Sequence, residues 1–265
     1  VELTERVHQW LALQIRKEGF SQQSVELEHN VGWIVTEQER NGFKLDIPFA
    51  EKLMMDLMFE MNNIEASLQD IFPPIVEERI SEKTGKRLKD KVTVFNPGSR
   101  KQIAERLQGL GVKFNKKTEK GNIIVDEKVL EGIDLPEAKA VARYMMLQKR
   151  VAQIDSWLKA VKDDGRVHGR VITNGAVTGR MTHQSPNMAQ VPAVSAPFGT
   201  ECRSCWTVDE GNVLVGIDAS GLELRMLAHY MDDENYTNEL LNGDIHTANQ
   251  RAAGLESRPL AKTFI

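Results

Sequence analysis

Two groups of side chains in this 265-residue chain stand at positions suited to chemistry. The first is Asp218, which follows the apolar run 213–217 and precedes a stretch of helix formers. A carboxylate at the C-terminal edge of a buried strand is a common place to hold a hard cation. Magnesium prefers oxygen ligands and keeps several waters, so one carboxylate plus a substrate phosphate is an ordinary arrangement for it. Capping of the following helix accounts for the same aspartate equally well. The second group is Arg258 and Lys262. Four residues apart, they share one face of a helix that Ser257 can cap, and two cations near a helix N-terminus make a clamp for a triphosphate. On its own such a pair is more commonly a solvated face. Cys202 and Cys205 have CxxC spacing, but zinc needs four ligands and the sequence holds only 2 cysteines. Two half-buried thiols in a reducing compartment is the simpler reading.

The elements that must position these residues follow from periodicity and punctuation. Segments 1–18 and 24–41 read as helices, the second stopped by Asn41-Gly42. Asp46 caps a helix with Pro48 in its first turn, running to about residue 71. Its apolar face of Leu53, Met54, Leu57, Met58 and Met61 reads as core packing. Pro73-Pro74 closes it, and the charged stretch 82–91 reads as a mobile loop. Asn96-Pro97-Gly98 is a turn, with Ser99 capping a short helix to about 108. Loop and weak strand follow over 109–127, then a long helix from Pro136 to about Lys162. Residues 167–173 alternate as a strand does, and Pro- and Gly-rich loops fill 174–200. The run 213–217 is uniformly apolar and reads as a buried central strand. Helices are expected over 221–231, 236–242 and 246–254.

Composition is that of an ordinary globular chain, with 41% hydrophobic and 27% charged residues. No apolar run approaches the roughly 20 residues of a membrane span, so no membrane partner and a cytoplasmic location are expected. Net charge is −4, but its distribution is uneven. Residues 81–120 hold twelve Lys/Arg against four Asp/Glu, and 139–190 hold nine against three, whereas 209–256 hold two against ten. Basic arms beside an acidic centre suit a protein that grips a polyanion and chelates cations next to it.

Three stretches carry a family resemblance. VGIDASGLELRMLAH, residues 215–229, resembles motif A of family A DNA polymerases, and its wording is nearer the phage branch than the bacterial one. TNGAVTGRMTHQSPNMAQVP, residues 173–192, resembles the family's T-G-R, P-N and Q-x-P segment. LNGDIHTANQ, residues 241–250, with Arg258, Pro259 and Lys262 resembles the entry to motif B. Weaker matches are Glu39 to Asp46, Phe95 to Ser99, and YMMLQKR at 144–150.

The resemblance implies roles. Asp218 and the Ala219 carbonyl would hold two catalytic magnesium ions with the incoming dNTP. Glu223 would pack under the nucleotide sugar and help exclude ribose. His246, Arg258 and Lys262 would meet the nucleotide phosphates, so that Asp218, Glu223, Arg258 and Lys262 make the catalytic group. Arg180, with Asn187 and Gln190, would lie along the minor groove of primer-template DNA, where acceptors common to all correct pairs let an arginine test geometry without reading sequence. Lys149 and Arg150 would touch backbone phosphates, and Arg225 would give structural or template-side support. The implied fold class is α+β: a helix-rich thumb, part of a polymerase palm sheet and the start of the fingers helices. The implied division is 1–22 closing helix of an exonuclease domain, 23–165 thumb, 166–231 first part of the palm, and 232–265 start of the fingers.

A two-metal phosphoryl transfer needs carboxylates on both ions. The family's second one, on a His-Asp hairpin called motif C, has no counterpart in these residues. The isolated chain is therefore expected not to extend primers, and motif C is expected from a downstream segment or a separate chain. The competing reading is a duplex-binding module without chemistry.

Overall fold

In the computed structural model the chain is an α+β protein, described over residues 1–258 and 260–261. It forms two compact units, 1–212 and 213–265.

The first unit is organised by two helices of 25 residues, α3 (Ile47–Ile71) and α6 (Pro136–Ala160). Each spans about 37 Å at 1.5 Å per residue. Both starts follow the sequence signals. Asp46 accepts from Phe49 N at 3.1 Å with proline in the first turn of α3, and α6 opens on Pro136. The helices run antiparallel through two cores. Ala50, Leu53 and Leu57 of α3 meet Met146, Leu147, Ile154 and Trp157 of α6 in the first. Leu68 meets Ala138, Val141 and Ala142 in the second, closed by Phe95, Ile103, Leu107 and Leu130. Trp157 is fully buried, and truncating such a residue costs about 3–5 kcal/mol. Midway, Arg143 grips Glu60 across the pair at 2.7 and 3.1 Å.

Shorter elements pack on this frame. Helices α1 (Glu2–Lys17) and α2 (Gln22–Asn41) precede it. Between α3 and α6 lie α4 (Arg100–Gly109), capped by Ser99, and α5 (Glu127–Glu131), capped by Asp126 at the end of the stretch expected as loop and weak strand. A small antiparallel sheet sets β1 (Phe43–Leu45) between β4 (Arg166–Val167) and β7 (Trp206–Thr207). The expected strand over 167–173 is two strands in two sheets. After β4 the chain breaks at Gly169, where a Cβ would lie 2.6 Å from Met188 Cγ, and resumes as β5 (Arg170–Ile172), paired with β6 (Thr182–Gln184). α7 (Gly199–Ser204) carries the first of the two cysteines, and its end is tied to the start of α3 by Asp46 N donating to Cys205 O at 2.8 Å.

Two expectations are corrected. The charged stretch 82–91 is a loop only over 82–86, and residues 87–91 are strand. It belongs to an antiparallel ribbon, β2 (Ile75–Ile80) with β3 (Arg87–Thr93), turned at Gly85 with φ +66°. Its charges pair across the strands, Lys91 with Glu77 at 3.1 Å and Arg87 with Glu78 at 3.3 Å, so a polar composition still supports strands. The apolar run 213–217 is neither strand nor buried: Val213 is 80% and Ile217 94% exposed. A central strand needs partners on both edges and cover on both faces, and no strand of the described residues pairs with it.

The second unit holds α8 (Leu222–Met231), α9 (Glu234–Asn242) and α10 (Ile245–Ala252), close to the expected spans. Asp233 caps α9 through Tyr236 N at 2.7 Å, and Asp244 caps α10 through His246 N at 3.2 Å. A further helical turn begins at Ser257, whose carbonyl accepts from Leu260 N and Ala261 N. Among the described residues no helix is long and apolar enough to cross a membrane.

Candidate nucleotide and nucleic-acid sites

In the second unit the tight bend before α8 exposes Asp218 and Ala219. Gly221, with φ +60°, makes the bend, and Arg225 Nε donates back to Ser220 O at 2.9 Å, bracing it. The first turn of α8 then presents Glu223. α10 brings up His246 from the other side, and Ala219, Gly221, Leu222, Glu223, Leu224, Leu227 and His246 line one pocket of about 470 Å³. His246 Nδ1 is buried and has no hydrogen-bond partner among the described residues. A buried ring nitrogen without a partner is costly, and a ligand atom would satisfy it.

Beside this pocket in sequence, Asp244 holds Arg258. Its Oδ2 accepts from Arg258 Nε at 2.7 Å and its Oδ1 from Nη2 at 3.0 Å. Arg258, followed by the Thr247 hydroxyl at 2.7 Å, keeps the Asp244 carboxyl far below the usual carboxylate range. Asp244 is absent from the expected site residues, because an aspartate before a helix reads as an N-cap and nothing more. Lys262 and Pro259 lie outside the described residues.

The duplex-side candidates sit in the first unit. Arg180 is exposed at the end of the β5–β6 hairpin, its carbonyl accepting from Ala176 N at 3.1 Å. The hairpin is fastened to α2: Glu39 Oε1 accepts from Val171 N at 2.6 Å, and Asn174 donates to Glu28 at 2.8 Å. Asn187 caps a 3-10 turn through Ala189 N, and Gln190 O accepts from Gln153 Nε2. Lys149 and Arg150 are adjacent in sequence and opposite in fate. Lys149 is exposed in a groove of about 810 Å³ with Arg100, Lys128 and Gln148. Arg150 is buried, 8% exposed, and its Nε donates to Pro197 O at 3.1 Å. The phosphate contact expected of Arg150 is thereby corrected, since its guanidinium is committed inside the fold. Arg100 and Lys128 were not singled out from sequence; their signal is only position in the first turns of α4 and α5.

The cysteines are structural. Both are fully buried, Cys205 Sγ donates to Glu201 O at 3.4 Å, and burial pushes the Cys205 thiol up to about 12. Among the described residues no cluster of three or more His, Cys, Asp or Glu could hold a metal. Asp218 offers a single exposed carboxylate next to a peptide carbonyl. That oxygen set suits a magnesium ion shared with nucleotide phosphates, and it is too small to hold one tightly alone.

The sequence profile of DNA polymerase family A matches residues 74–260. The chain belongs to that family. Members similar to it include the DNA-directed DNA polymerases of Enterobacteria phage T3 and Escherichia phage T7, each 37% identical over 92% of this chain. The thermostable DNA polymerase I of Thermus aquaticus is 29% identical over 84%. The chain spans 45% of the length of the two phage relatives and 25% of the Thermus one. Among solved structures, the POL domain of Pol1 from M. smegmatis, in complex with DNA primer-template and dNTP, superposes with a TM-score of 0.70 at 21% identity. That match covers 87% of this chain and 40% of that one. It shows a shared fold.

Proposed function

We propose that this chain is the primer-gripping and nucleotide-receiving portion of a DNA-directed DNA polymerase, acting on primer-template DNA and a deoxynucleoside triphosphate. The observation that carries the reading is the pocket of the second unit, where Ala219, Glu223 and His246 come together from two separated stretches of sequence. In family terms residues 1–22 close an exonuclease domain, 23–165 form the thumb, 166–231 begin the palm and 232–265 begin the fingers. The exposed apolar run 213–217 supports a palm sheet completed by strands from elsewhere, a downstream segment or a second chain. A cytoplasmic location, where DNA and nucleotides meet, belongs to the same proposal.

Each side chain then has a task. Asp218 and the Ala219 carbonyl would hold magnesium together with the triphosphate; bound there, magnesium would supply charge neutralisation for phosphoryl transfer. Glu223 walls the sugar side of the pocket and disfavours a 2′-hydroxyl. His246, Arg258 and Lys262 receive the phosphates. Arg180, with Asn187 and Gln190, lies on the minor-groove side of the duplex. Lys149, joined by Arg100 and Lys128, neutralises backbone phosphates without reading sequence.

The test uses fluorescence anisotropy of a labelled primer-template with this chain. The expected result is binding that weakens steeply with salt and ignores sequence. Primer extension is then read after supplying the remaining palm segment. D218N is expected to abolish incorporation and leave duplex affinity within about twofold, since the carboxylate faces cations and not backbone phosphates. Equal incorporation by D218N would sink the catalytic reading. Loss of duplex binding alongside it would point to a structural aspartate.

A further inference from the structure

The Asp244–Arg258 contact has no place in the roles above. It is bidentate, it joins residues 14 apart in sequence, and both side chains remain nearly half exposed, at 44% and 45%. Most exposed ion pairs add little to stability; a bidentate arginine–carboxylate pair is the exception, and it fixes direction as well as adding energy. The bidentate carboxylate thus supplies orientation.

We propose that Asp244 is a positioning residue for the phosphate-receiving side chains, one carboxylate tying Arg258 to the N-terminus of α10, which carries His246. The proposal rests on reading this site as a triphosphate site. Three features support it. First, the carboxylate is itself anchored. Oδ2 accepts from the Thr247 hydroxyl at 2.7 Å and Oδ1 from His246 N at 3.2 Å, so Arg258 is fastened to the helix turn that sets His246. Second, the edge of Arg258 engaged is Nε with Nη2. A guanidinium has five N–H groups, and the terminal fork of Nη1 and Nη2 is not the one that Asp244 uses; a phosphate fits that fork. Third, His246 lines the pocket shared with Ala219 and Glu223. A triphosphate then meets cations already oriented, and the cost of ordering a long arginine side chain is met before binding.

The experiment measures binding of magnesium tripolyphosphate to the whole 265-residue chain in wild type, D244N, R258A and the double variant. Asparagine is as good a helix cap as aspartate, so D244N keeps α10 while removing the two-oxygen grip on Arg258. D244N is expected to weaken binding about fivefold, and to change nothing further once Arg258 is alanine, because it acts through that side chain. The Arg258 Nε–H resonance, protected in wild type, is expected to lose its protection in D244N. R258K keeps the charge and the Asp244 cap but loses the fork, and is expected to weaken binding by a similar factor. Should D244N disturb α10, seen as lost helical circular dichroism, D244S takes its place in every comparison, since serine also caps a helix and cannot grip Arg258 with two oxygens. Unchanged or tighter binding by D244N, or an equal D244N effect with and without Arg258, overturns the proposal. Wild-type chain that fails to bind tripolyphosphate, or R258A that binds as wild type does, overturns the triphosphate reading instead.

Discussion

Replacing Arg150 and Lys149 one at a time separates holding the fold from holding DNA. Arg150 is buried on the inner side of α6 and donates to the Pro197 carbonyl at 3.1 Å. Pro197 precedes Phe198, a non-glycine residue at φ +57° that stacks under Arg143, with 4.9 Å from guanidinium carbon to ring centroid. Arg150 thus tethers a loop whose backbone costs energy to hold. R150A removes a charge-assisted hydrogen bond worth about 1.5–3 kcal/mol net and leaves the Pro197 carbonyl without this donor. The lost packing of the aliphatic stem adds to this, for a total of about 2–4 kcal/mol. Urea unfolding should show the midpoint falling at unchanged slope. Duplex affinity of the folded variant should match wild type. K149A should do the reverse, leaving the midpoint in place, weakening duplex binding and lowering the slope of log affinity against log salt by about one contact. R150A with an unshifted midpoint and a reduced salt slope would refute the assignment and return Arg150 to the DNA.

Other outcomes follow from the same geometry. The raised thiol pKa of Cys205 comes chiefly from burial. The unfolded chain, with thiols ionising at about 8.5, binds fewer protons above that pH than the folded one. Stability is therefore retained up to that point and declines as pH rises toward about 12, which thermal melts between pH 8 and 11 can follow. At neutral pH neither cysteine should react with a thiol reagent until urea unfolds the first unit; rapid labelling of the folded chain would contradict the burial. At Gly175 a Cβ would sit 1.8 Å from Thr182 Oγ1 and 2.8 Å from Thr182 Cβ. G175A should therefore disrupt the hairpin that carries Arg180 and reduce duplex affinity. T182A should restore part of the loss, because it removes the nearest atom; an unaffected G175A chain would mean that the hairpin does not present Arg180.

Much of the first unit was legible in its sequence, because its signals are local. Asp46 and Ser99 announce helix starts by accepting backbone N–H groups three residues on, and Pro136 opens α6. The core face of α3 is readable from Leu53 and Leu57 at helical spacing. The family could also be read locally, since motif wording around Asp218, Arg180 and His246 survives in linear order. Pairing is not local, and there the reading failed. The ribbon β2–β3 was missed because its stabilising charges are complementary only across strands. The run 213–217 was misread because apolar content states what a strand would bury, not whether anything is present to cover it.

The sequence by itself determined the family and the residue types now proposed for the site: an aspartate at 218, a glutamate at 223, a histidine at 246 and an arginine at 258. Only the tertiary structure decided which of two neighbouring cations faces solvent, since Lys149 and Arg150 are alike in type and differ in which side of α6 they occupy. It alone assigned Arg258 a partner. A bidentate contact between residues 14 apart depends on how α10 and the following turn fold back on each other, and no local pattern encodes that.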